Sequence, residues 1–195
     1  MPVRLYVVRH AHAGSRRAWE GHDDLRPLSG KGHKQAAAIA DLLEDSGVRR
    51  LVSSPSLRCT QTFAPLAARL ALPVEADPRL AEGSRGEDAL RLARDALADS
   101  GTARGRSRRR DEGVTDVEVN VDVEVDVAVE GVAVAVCSHG DVIPELLRLV
   151  RATTCAFADP LVWPKASTWV LTHHDDRWTR ARYLPPPEIR ATGRR

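Results

Sequence analysis

The chain has 195 residues, with 29 lysine and arginine residues, 27 aspartate and glutamate residues, and a hydrophobic content of 43%. This composition is that of one globular domain, which excludes wholesale disorder and fibrous repeats. No apolar run approaches the roughly 18 to 20 residues that span a bilayer, and the apolar stretch near the start is too short for a signal peptide. Three scattered cysteines do not form a disulfide framework. We therefore expect a cytoplasmic protein with no membrane partner.

In the first half of the chain, the hydrophobic pattern predicts alternating strands and helices. Residues 3–8 form a short apolar run that is typical of a buried strand, and a turn-rich loop covers residues 11–29. Apolar residues at helical spacing then predict a helix that ends near Gly47. Residues 49–53 are expected to form a second strand. Ser54 and Pro55 follow as N-cap and first-turn proline of a helix over residues 55–70.

The second half continues the alternation. Residues 73–76 and 132–136 are predicted strands, each followed by a helix, over residues 88–98 and 141–150. Two β-rich runs, residues 169–172 and 178–183, flank a polar turn and predict a terminal hairpin. This order predicts an α/β fold, a three-layer sandwich with a mostly parallel central sheet, in which functional sites collect at the carboxyl ends of the strands.

Residues 101–131 do not follow this pattern. A basic, glycine-rich stretch leads into a segment with valine at every odd position from Val117 to Val129. We interpret residues 101–131 as a low-complexity insertion, with an amphipathic edge strand as the alternative. Its arginine run has no interleaved aromatic residues for base stacking, so we expect no nucleic-acid partner. The rest is predicted to be a single domain over residues 1–184 with a loose tail over residues 185–195.

Histidine and arginine residues follow the predicted strands. His10 comes directly after the first strand, beside Arg9, and His139 comes after the strand over residues 132–136. Arg58 lies early in the helix after the second strand. If the first and fourth strands are neighbours, these side chains meet in one crevice. Guanidinium groups bind the oxygens of a phosphoryl group, and a neutral imidazole can accept that group as a nucleophile. The pattern therefore indicates phosphoryl transfer.

Other chemistries are excluded by the sequence or stay as alternatives. A cysteine phosphatase needs an arginine six positions after its cysteine, and none of the three cysteines has one; no glycine-rich phosphate loop is present either. A metal-dependent hydrolase stays open as an alternative, because residues 10–12, 22–24 and 173–176 contain histidine or aspartate ligands. Aspartate-rich segments are usually turns, however, so we assign no metal ligand. A non-catalytic module that binds a phosphorylated ligand is the second alternative.

Three blocks of the sequence resemble the histidine phosphatase (phosphoglycerate mutase-like) superfamily. Residues 7–11 (VVRHA) resemble its Arg-His-Gly signature, with Ala11 where glycine is usual. Residues 53–62 (SSPSLRCTQT) resemble its second block, and residues 138–140 (SHG) its third. The resemblance implies a phosphoglycerate mutase-like fold without a large cap subdomain, close to the short SixA branch. Residues 26–29, 61–62 and 167–171 are also similar to the phosphatase domain of MutT1-type Nudix fusion proteins.

The resemblance further implies a two-step reaction without a cofactor or metal. His10 would become phosphohistidine, from which water would release inorganic phosphate, with Arg9, Arg58 and a protonated His139 around the phosphate. Glu82, after the third strand, would be the general acid, and Arg16 a further phosphate contact. Lys165 and Ser167 lie before the last strands, and for both we favour structural roles over contact with substrate. The expected partner is a phosphorylated small molecule, such as a nucleotide, or a phosphohistidine protein.

Overall fold

A computed structural model describes residues 2–102 and 132–189. Its strands are β1 (Val3–Arg9), β2 (Val48–Ser53), β3 (Val74–Ala76), β4 (Ala133–Ser138), β5 (Ala156–Phe157), β6 (Thr168–His174) and β7 (Arg177–Leu184). Its helices are α1 (Gly30–Leu43), α2 (Leu57–Leu70), α3 (Gly86–Thr102) and α4 (Val142–Arg151). Short 3₁₀ turns cover Arg16–Ala18, Asp23–Leu25 and Pro78–Leu80.

The strands form one mixed sheet in the order β3-β2-β4-β1-β6-β7-β5. The four strands β3, β2, β4 and β1 are mutually parallel. β6 runs antiparallel to β1 and forms the predicted hairpin with β7. β1 therefore lies between a parallel neighbour, β4, and an antiparallel one, β6. These two neighbouring strands determine which residues surround His10, which follows β1.

Helices cover both faces of the sheet. In β1, Leu5 and Val7 pack into a core cluster with α3 and α4, whereas Tyr6 and Val8 pack into a second cluster with α1 and α2. Successive side chains of a strand point to opposite faces, so a strand buried on both faces is apolar without interruption. The predicted α/β class and the three-layer sandwich are confirmed. No large cap subdomain covers the sheet edge in the described part of the chain.

The starts of α2 and α3 differ from the sequence prediction. α2 begins at Leu57, with Ser56 as its N-cap, so the expected cap at Ser54 is wrong. The hydroxyl group of Ser54 instead contacts His139. α3 is longer than predicted and begins at Gly86. The two-residue strand β5 was not predicted, since so short a segment carries no hydrophobic period.

Several predictions fall partly on residues outside the described ranges. The insertion over residues 101–131 lies there apart from residues 101 and 102, which end α3. The limits of the domain and the loose tail also stay predictions. Residues 190–195 are not described, and residues 187–189 line a surface cleft together with residues of α1. Among residues 2–102 and 132–189, no helix combines the length and apolar character needed to cross a membrane.

Candidate active site

β1 and β4 end side by side at the edge of the sheet. Their register pairs Arg9 with Ser138, so that His10 and His139 follow at adjacent positions. The backbone N–H of His10 donates to the Ser138 carbonyl at 3.1 Å, which continues the pairing by one residue. The imidazole ring centroids of His10 and His139 are 5.3 Å apart, and both residues are buried. The two histidines therefore share one crevice, as the sequence predicted.

The hydrogen bonding of His10 fixes its tautomer. Its Nδ1 lies 2.8 Å from the Ala11 carbonyl oxygen, which can only accept, so Nδ1 carries the proton. Burial is the main reason that the pKa of His10 falls to about 3, and the nearby His139, Arg58 and Arg9 lower it further against the effect of the Ala11 bond. His10 is therefore a neutral imidazole whose Nε2 has a free lone pair.

Ala11 ties the loop after β1 to α2. Its backbone N–H donates to Thr62 Oγ1 at 3.0 Å, and the Thr62 hydroxyl donates to the Arg58 carbonyl at 2.7 Å. The Ala11 side chain is fully buried in the core cluster of α1 and α2. The methyl group that distinguishes Ala11 from the usual glycine is thus accommodated by packing.

His139 adopts the opposite tautomer from His10. Its Nδ1 is 3.3 Å from Nη2 of Arg58, and its Nε2 is 2.8 Å from the Ser54 hydroxyl oxygen, with Cys59 Sγ at 3.5 Å. Because a guanidinium only donates, Nδ1 must accept, and Nε2 carries the proton. The protonated His139 expected from the sequence does not match this arrangement, since a proton on Nδ1 would face the Arg58 donors.

Arg58 is fully buried in the first turn of α2. Its Nη1 donates to the Asp23 carbonyl at 2.7 Å, and its Nη2 donates to Glu82 Oε2 at 2.8 Å. Nε of Arg58 has no acceptor among residues 2–102 and 132–189. Burial of a guanidinium is costly unless acceptors surround it. The Glu82 carboxylate supplies one of them and stands next to Arg58 at the cleft.

Arg9, the last residue of β1, lies against Gly140. Its Nη1 donates to the Trp163 carbonyl at 2.7 Å, and its Nε is unpaired within the described segments. A methyl group at Gly140 would come within 2.6 Å of Nη2 of Arg9. Burial lowers the pKa of Arg9 while Asp141 and Glu82 raise it, and the group remains a cation. Gly140 thus makes room for the Arg9 guanidinium in the crevice.

Glu82 and Arg16 form an ion pair at the rim. Nη2 of Arg16 is 2.7 Å from Oε1 and 2.6 Å from Oε2 of Glu82, and Glu82 also accepts from Arg58. Both carboxylate oxygens act as acceptors here, whereas a general acid must carry a proton. These hydrogen bonds from two guanidinium groups must therefore break before Glu82 could donate a proton, as predicted.

Asp23, which the sequence did not single out as an active-site residue, contacts three arginines of this cluster. Its carboxylate lies 2.9 Å from Arg26 Nε, 3.0 Å from Arg16 Nη2 and 3.2 Å from Arg58 Nη2. The hydrogen bonds from Arg26 and Arg16, with the charge of Arg58, lower the pKa of Asp23 to about 2 against the opposing effect of burial.

Within residues 2–102 and 132–189, no three histidine, cysteine or acidic side chains are grouped so that they could hold a metal ion.

The cluster opens into a cleft of about 500 Å³. Its lining is mainly cationic or imidazole-bearing and consists of Arg9, His10, Gly14, Arg16, Arg26, Glu82, His139, Gly140, Asp141 and Lys165. The structure thus brings all the predicted site residues to one place. Asp141 was missed: its Oδ2 accepts the Gly83 N–H at 2.7 Å and holds the turn that carries Glu82. Its position directly after residues 138–140 could have indicated that it belongs to the site.

Comparison with known proteins shows which family this chain belongs to. The model of the histidine phosphatase superfamily (branch 1) matches residues 5–184. An 8-oxo-(d)GTP phosphatase of Mycolicibacterium smegmatis is 30% identical over 184 residues, which make up 94% of this chain and 48% of that protein. The chain therefore spans about half the length of this relative.

Solved structures agree on the fold. The protein histidine phosphatase SixA complexed with tungstate superposes with a TM-score of 0.61 at 19% identity, over 90% of this chain and 92% of its own. Bacillus stearothermophilus YhfR superposes with a TM-score of 0.59 at 16% identity, over 90% and 94% of the two chains. These likenesses show the phosphoglycerate mutase-like fold alone, while the match over residues 5–184 shows the family. The chain belongs to the histidine phosphatase superfamily.

Proposed function

We propose that this protein hydrolyses a phosphorylated substrate through a phosphohistidine intermediate on His10, without a metal or cofactor. The observation that carries the proposal is the neutral His10, held by the Ala11 carbonyl at Nδ1 so that Nε2 is free. Arg9, Arg58 and His139 lie close to this nitrogen as phosphate ligands. The guanidinium groups of Arg9 and Arg58 supply the positive charge that many phosphoryl-transfer enzymes take from Mg²⁺.

In the first step, Nε2 of His10 attacks phosphorus, and the bond from phosphorus to the leaving atom breaks as the P–N bond forms. The three equatorial oxygens accept hydrogen bonds from Arg9, Arg58 and Arg16. As Arg58 turns from His139 to a phosphoryl oxygen, Nδ1 of His139 becomes free to take a proton and to donate to the same group. The neutral tautomer seen here is thus the form before substrate binds.

Glu82 is the proposed proton donor to the leaving atom. In the present arrangement it accepts from Arg16 and Arg58, the same guanidinium groups that the phosphoryl oxygens need. A dianionic phosphoryl group competes for these donors and releases the carboxyl group, which then takes a proton and passes it on. In the second step, Glu82 removes a proton from water, the water oxygen bonds to phosphorus, and the P–N bond breaks. Orthophosphate leaves and neutral His10 is restored.

Two substrate classes are proposed: a nucleotide or other small phosphomonoester, and a phosphohistidine protein. The similarity to an 8-oxo-(d)GTP phosphatase over 94% of this chain supports the first class. The fold shared with the protein histidine phosphatase SixA supports the second, as does a cleft that no large cap covers within residues 2–102 and 132–189. The three cysteines are unpaired and buried, which fits the reducing conditions of the cytoplasm, where we propose that the protein acts.

The test is hydrolysis of a chromogenic phosphomonoester by the wild type and by His10→Ala, with His33→Ala as a control on the exposed face of α1. We expect His10→Ala to lose about 1000-fold or more in kcat, His33→Ala to keep its activity, and excess chelator to leave the rate unchanged. Turnover by His10→Ala would remove the nucleophile. Strong inhibition by chelator would favour a metal-dependent hydrolase, and phosphate binding without turnover would favour a binding module. Panels of phosphohistidine peptides, nucleotides and sugar phosphates then separate the substrate classes.

A further inference from the structure

The turn over residues 163–167 is built onto the strand end that carries His10. The Ala166 N–H reaches the carbonyl oxygens of Arg9 and His10 at 3.1 and 3.3 Å. The Ser167 N–H and hydroxyl both donate to the Pro164 carbonyl, at 3.1 and 2.7 Å. The Trp163 carbonyl accepts from Arg9 at 2.7 Å. These bonds make the turn a fixed part of the site and explain the structural role expected for Ser167.

Ala166 adopts a strained backbone conformation in this turn. Its φ is 67°, in the left-handed region that side-chain-bearing residues rarely occupy, and the residue is fully buried. Strained backbone persists where the surroundings enforce it and is concentrated at functional sites. The residue that precedes Ala166 is Lys165, whose side chain lines the cleft together with His10. The strained turn therefore fixes the backbone position from which the Lys165 side chain extends into the cleft.

The ammonium group of Lys165 has no hydrogen-bond partner in the described segments, and the charges of four arginines act on it. No acceptor for it lies among residues 2–102 and 132–189. Burial, followed by the charges of Arg9, Arg26, Arg58 and Arg16, lowers its pKa. Those arginines differ from it, because each donates to a carboxylate or a carbonyl oxygen of the protein. A half-buried cation in this setting is stabilised by an anion that enters the cleft.

Lys165 and His139 approach His10 from opposite sides. His139 follows β4, and Lys165 precedes β6; these strands flank β1 on its two sides. A phosphoryl group held beside His139 and Arg58 therefore leaves Lys165 to meet another part of the same substrate. The cleft volume of about 500 Å³ is within the range of small-ligand pockets and far exceeds one phosphate group.

We propose that Lys165 binds a second phosphate group of the substrate, one that is not transferred, and that it thereby selects substrates with two or more phosphates. This inference rests on the proposed phosphatase function and narrows its substrate class to polyphosphorylated small molecules such as nucleoside diphosphates and triphosphates. A lysine suits this role, because its ammonium group is a compact point charge with three donors. The second phosphate would give Lys165 the acceptor that it lacks among residues 2–102 and 132–189.

The test compares anions that differ by one phosphate. Pyrophosphate and orthophosphate are measured as inhibitors of chromogenic phosphomonoester hydrolysis, and a nucleoside 5′-diphosphate and the matching 5′-monophosphate as substrates. The wild type is expected to favour the member with two phosphates in each pair. Lys165→Ala should lower this preference about tenfold in both pairs, the usual size of one charge-assisted hydrogen bond, and Lys165→Arg should restore most of it. Lys34→Ala, an exposed lysine change on α1, should leave the preference at its wild-type value.

The inference is overturned if Lys165→Ala keeps the wild-type preference, or if the wild type does not favour two phosphates over one. Preferential turnover of phosphohistidine peptides would also contradict it, because such substrates have no second phosphate. If the wild type hydrolyses no phosphomonoester, the proposed function fails separately. Calorimetric binding of pyrophosphate and orthophosphate to the wild type and Lys165→Ala then still decides the role of Lys165. Circular dichroism checks that each variant is folded.

Discussion

Burial sets the protonation of His10, and it also makes the stability of the protein depend on pH. The pKa of His10 is about 3 in the folded chain, whereas a histidine in an unfolded chain titrates near pH 6.5. Between these two values, the unfolded state binds a proton that the folded state does not. Stability is therefore fully present above about pH 6.5 and falls as the pH is lowered towards 3.

Replacement of His10 by asparagine removes this pH dependence. From about pH 7 to about pH 5, the single buried imidazole contributes a loss of up to about 2 kcal/mol in the free energy of unfolding. Urea denaturation at both pH values should show a smaller loss for His10→Asn than for the wild type. His33→Asn, which changes an exposed histidine on α1, should behave like the wild type. Equal losses for His10→Asn and the wild type would mean that the folded chain does not depress the pKa of His10.

The approach of Arg9 to Gly140 gives a second prediction at the scale of a residue. In Gly140→Ala, the added methyl group meets the Arg9 guanidinium at 2.6 Å, and the flexible Arg9 side chain has to move from its place beside His10. Misplacement of a phosphate ligand by about 1 Å is expected to lower kcat/KM about 100-fold. Gly30→Ala is the matched control, since no atom lies within 4 Å of the added methyl group. Equal activity of the two variants would place Arg9 outside the reaction.

Ser54 is a positioning residue for His139, because its hydroxyl oxygen lies 2.8 Å from Nε2. Ser54→Ala removes this partner and leaves only the weak contact with Cys59 Sγ. We expect a drop of about tenfold in kcat for Ser54→Ala, and recovery of most of it in Ser54→Thr, which keeps the hydroxyl group. Failure of threonine to restore activity, in a variant that folds normally, would show that packing rather than the hydrogen bond matters.

At the scale of an element, α1 and α2 begin in different ways. In α1, the Ser29 hydroxyl accepts the Gly32 N–H at 3.2 Å, as a capping serine does. In α2, the Ser56 hydroxyl donates to Asp24 instead, and Ser54 contacts His139. The start of α2 thus lacks a side-chain cap, because its serines contact His139 and Asp24 instead. Sequence rules for caps fail here because these contacts compete for the serine hydroxyl groups.

Gly30 and Gly32 both lie in the first turn of α1 but differ in the space around them. A methyl group at Gly32 would lie only 2.0 Å from the His12 carbonyl oxygen, so backbone has to move, whereas Gly30 faces open space. Gly32→Ala should lower the free energy of unfolding by about 1 to 3 kcal/mol through overpacking. Gly30→Ala should leave it unchanged or raise it slightly, because alanine favours helix. Urea denaturation measures both, and equal values would mean that α1 does not pack on the loop after His10.

For the whole molecule, the sequence predicted the elements better than the contacts between them. Apolar runs located β1 and β4, and the polar residues that follow them indicated where the site would form. The ion pairs of Glu82 with Arg16 and Arg58 were not predicted, because residues far apart in sequence meet only once the sheet is assembled. The sequence favoured a structural role for Lys165, because nothing in it shows that Ala166 adopts the left-handed conformation that places Lys165 at the cleft.

The most direct test of the whole proposal is to trap the phosphorylated enzyme. Wild-type protein in excess is mixed with a ³²P-labelled substrate, quenched within one turnover and digested, and the labelled peptide is identified. We predict label that is stable in base, labile in acid and confined to the peptide containing His10, with none in His10→Ala. A label on any other residue, or complete hydrolysis within one turnover without any labelled protein, would contradict the phosphohistidine mechanism.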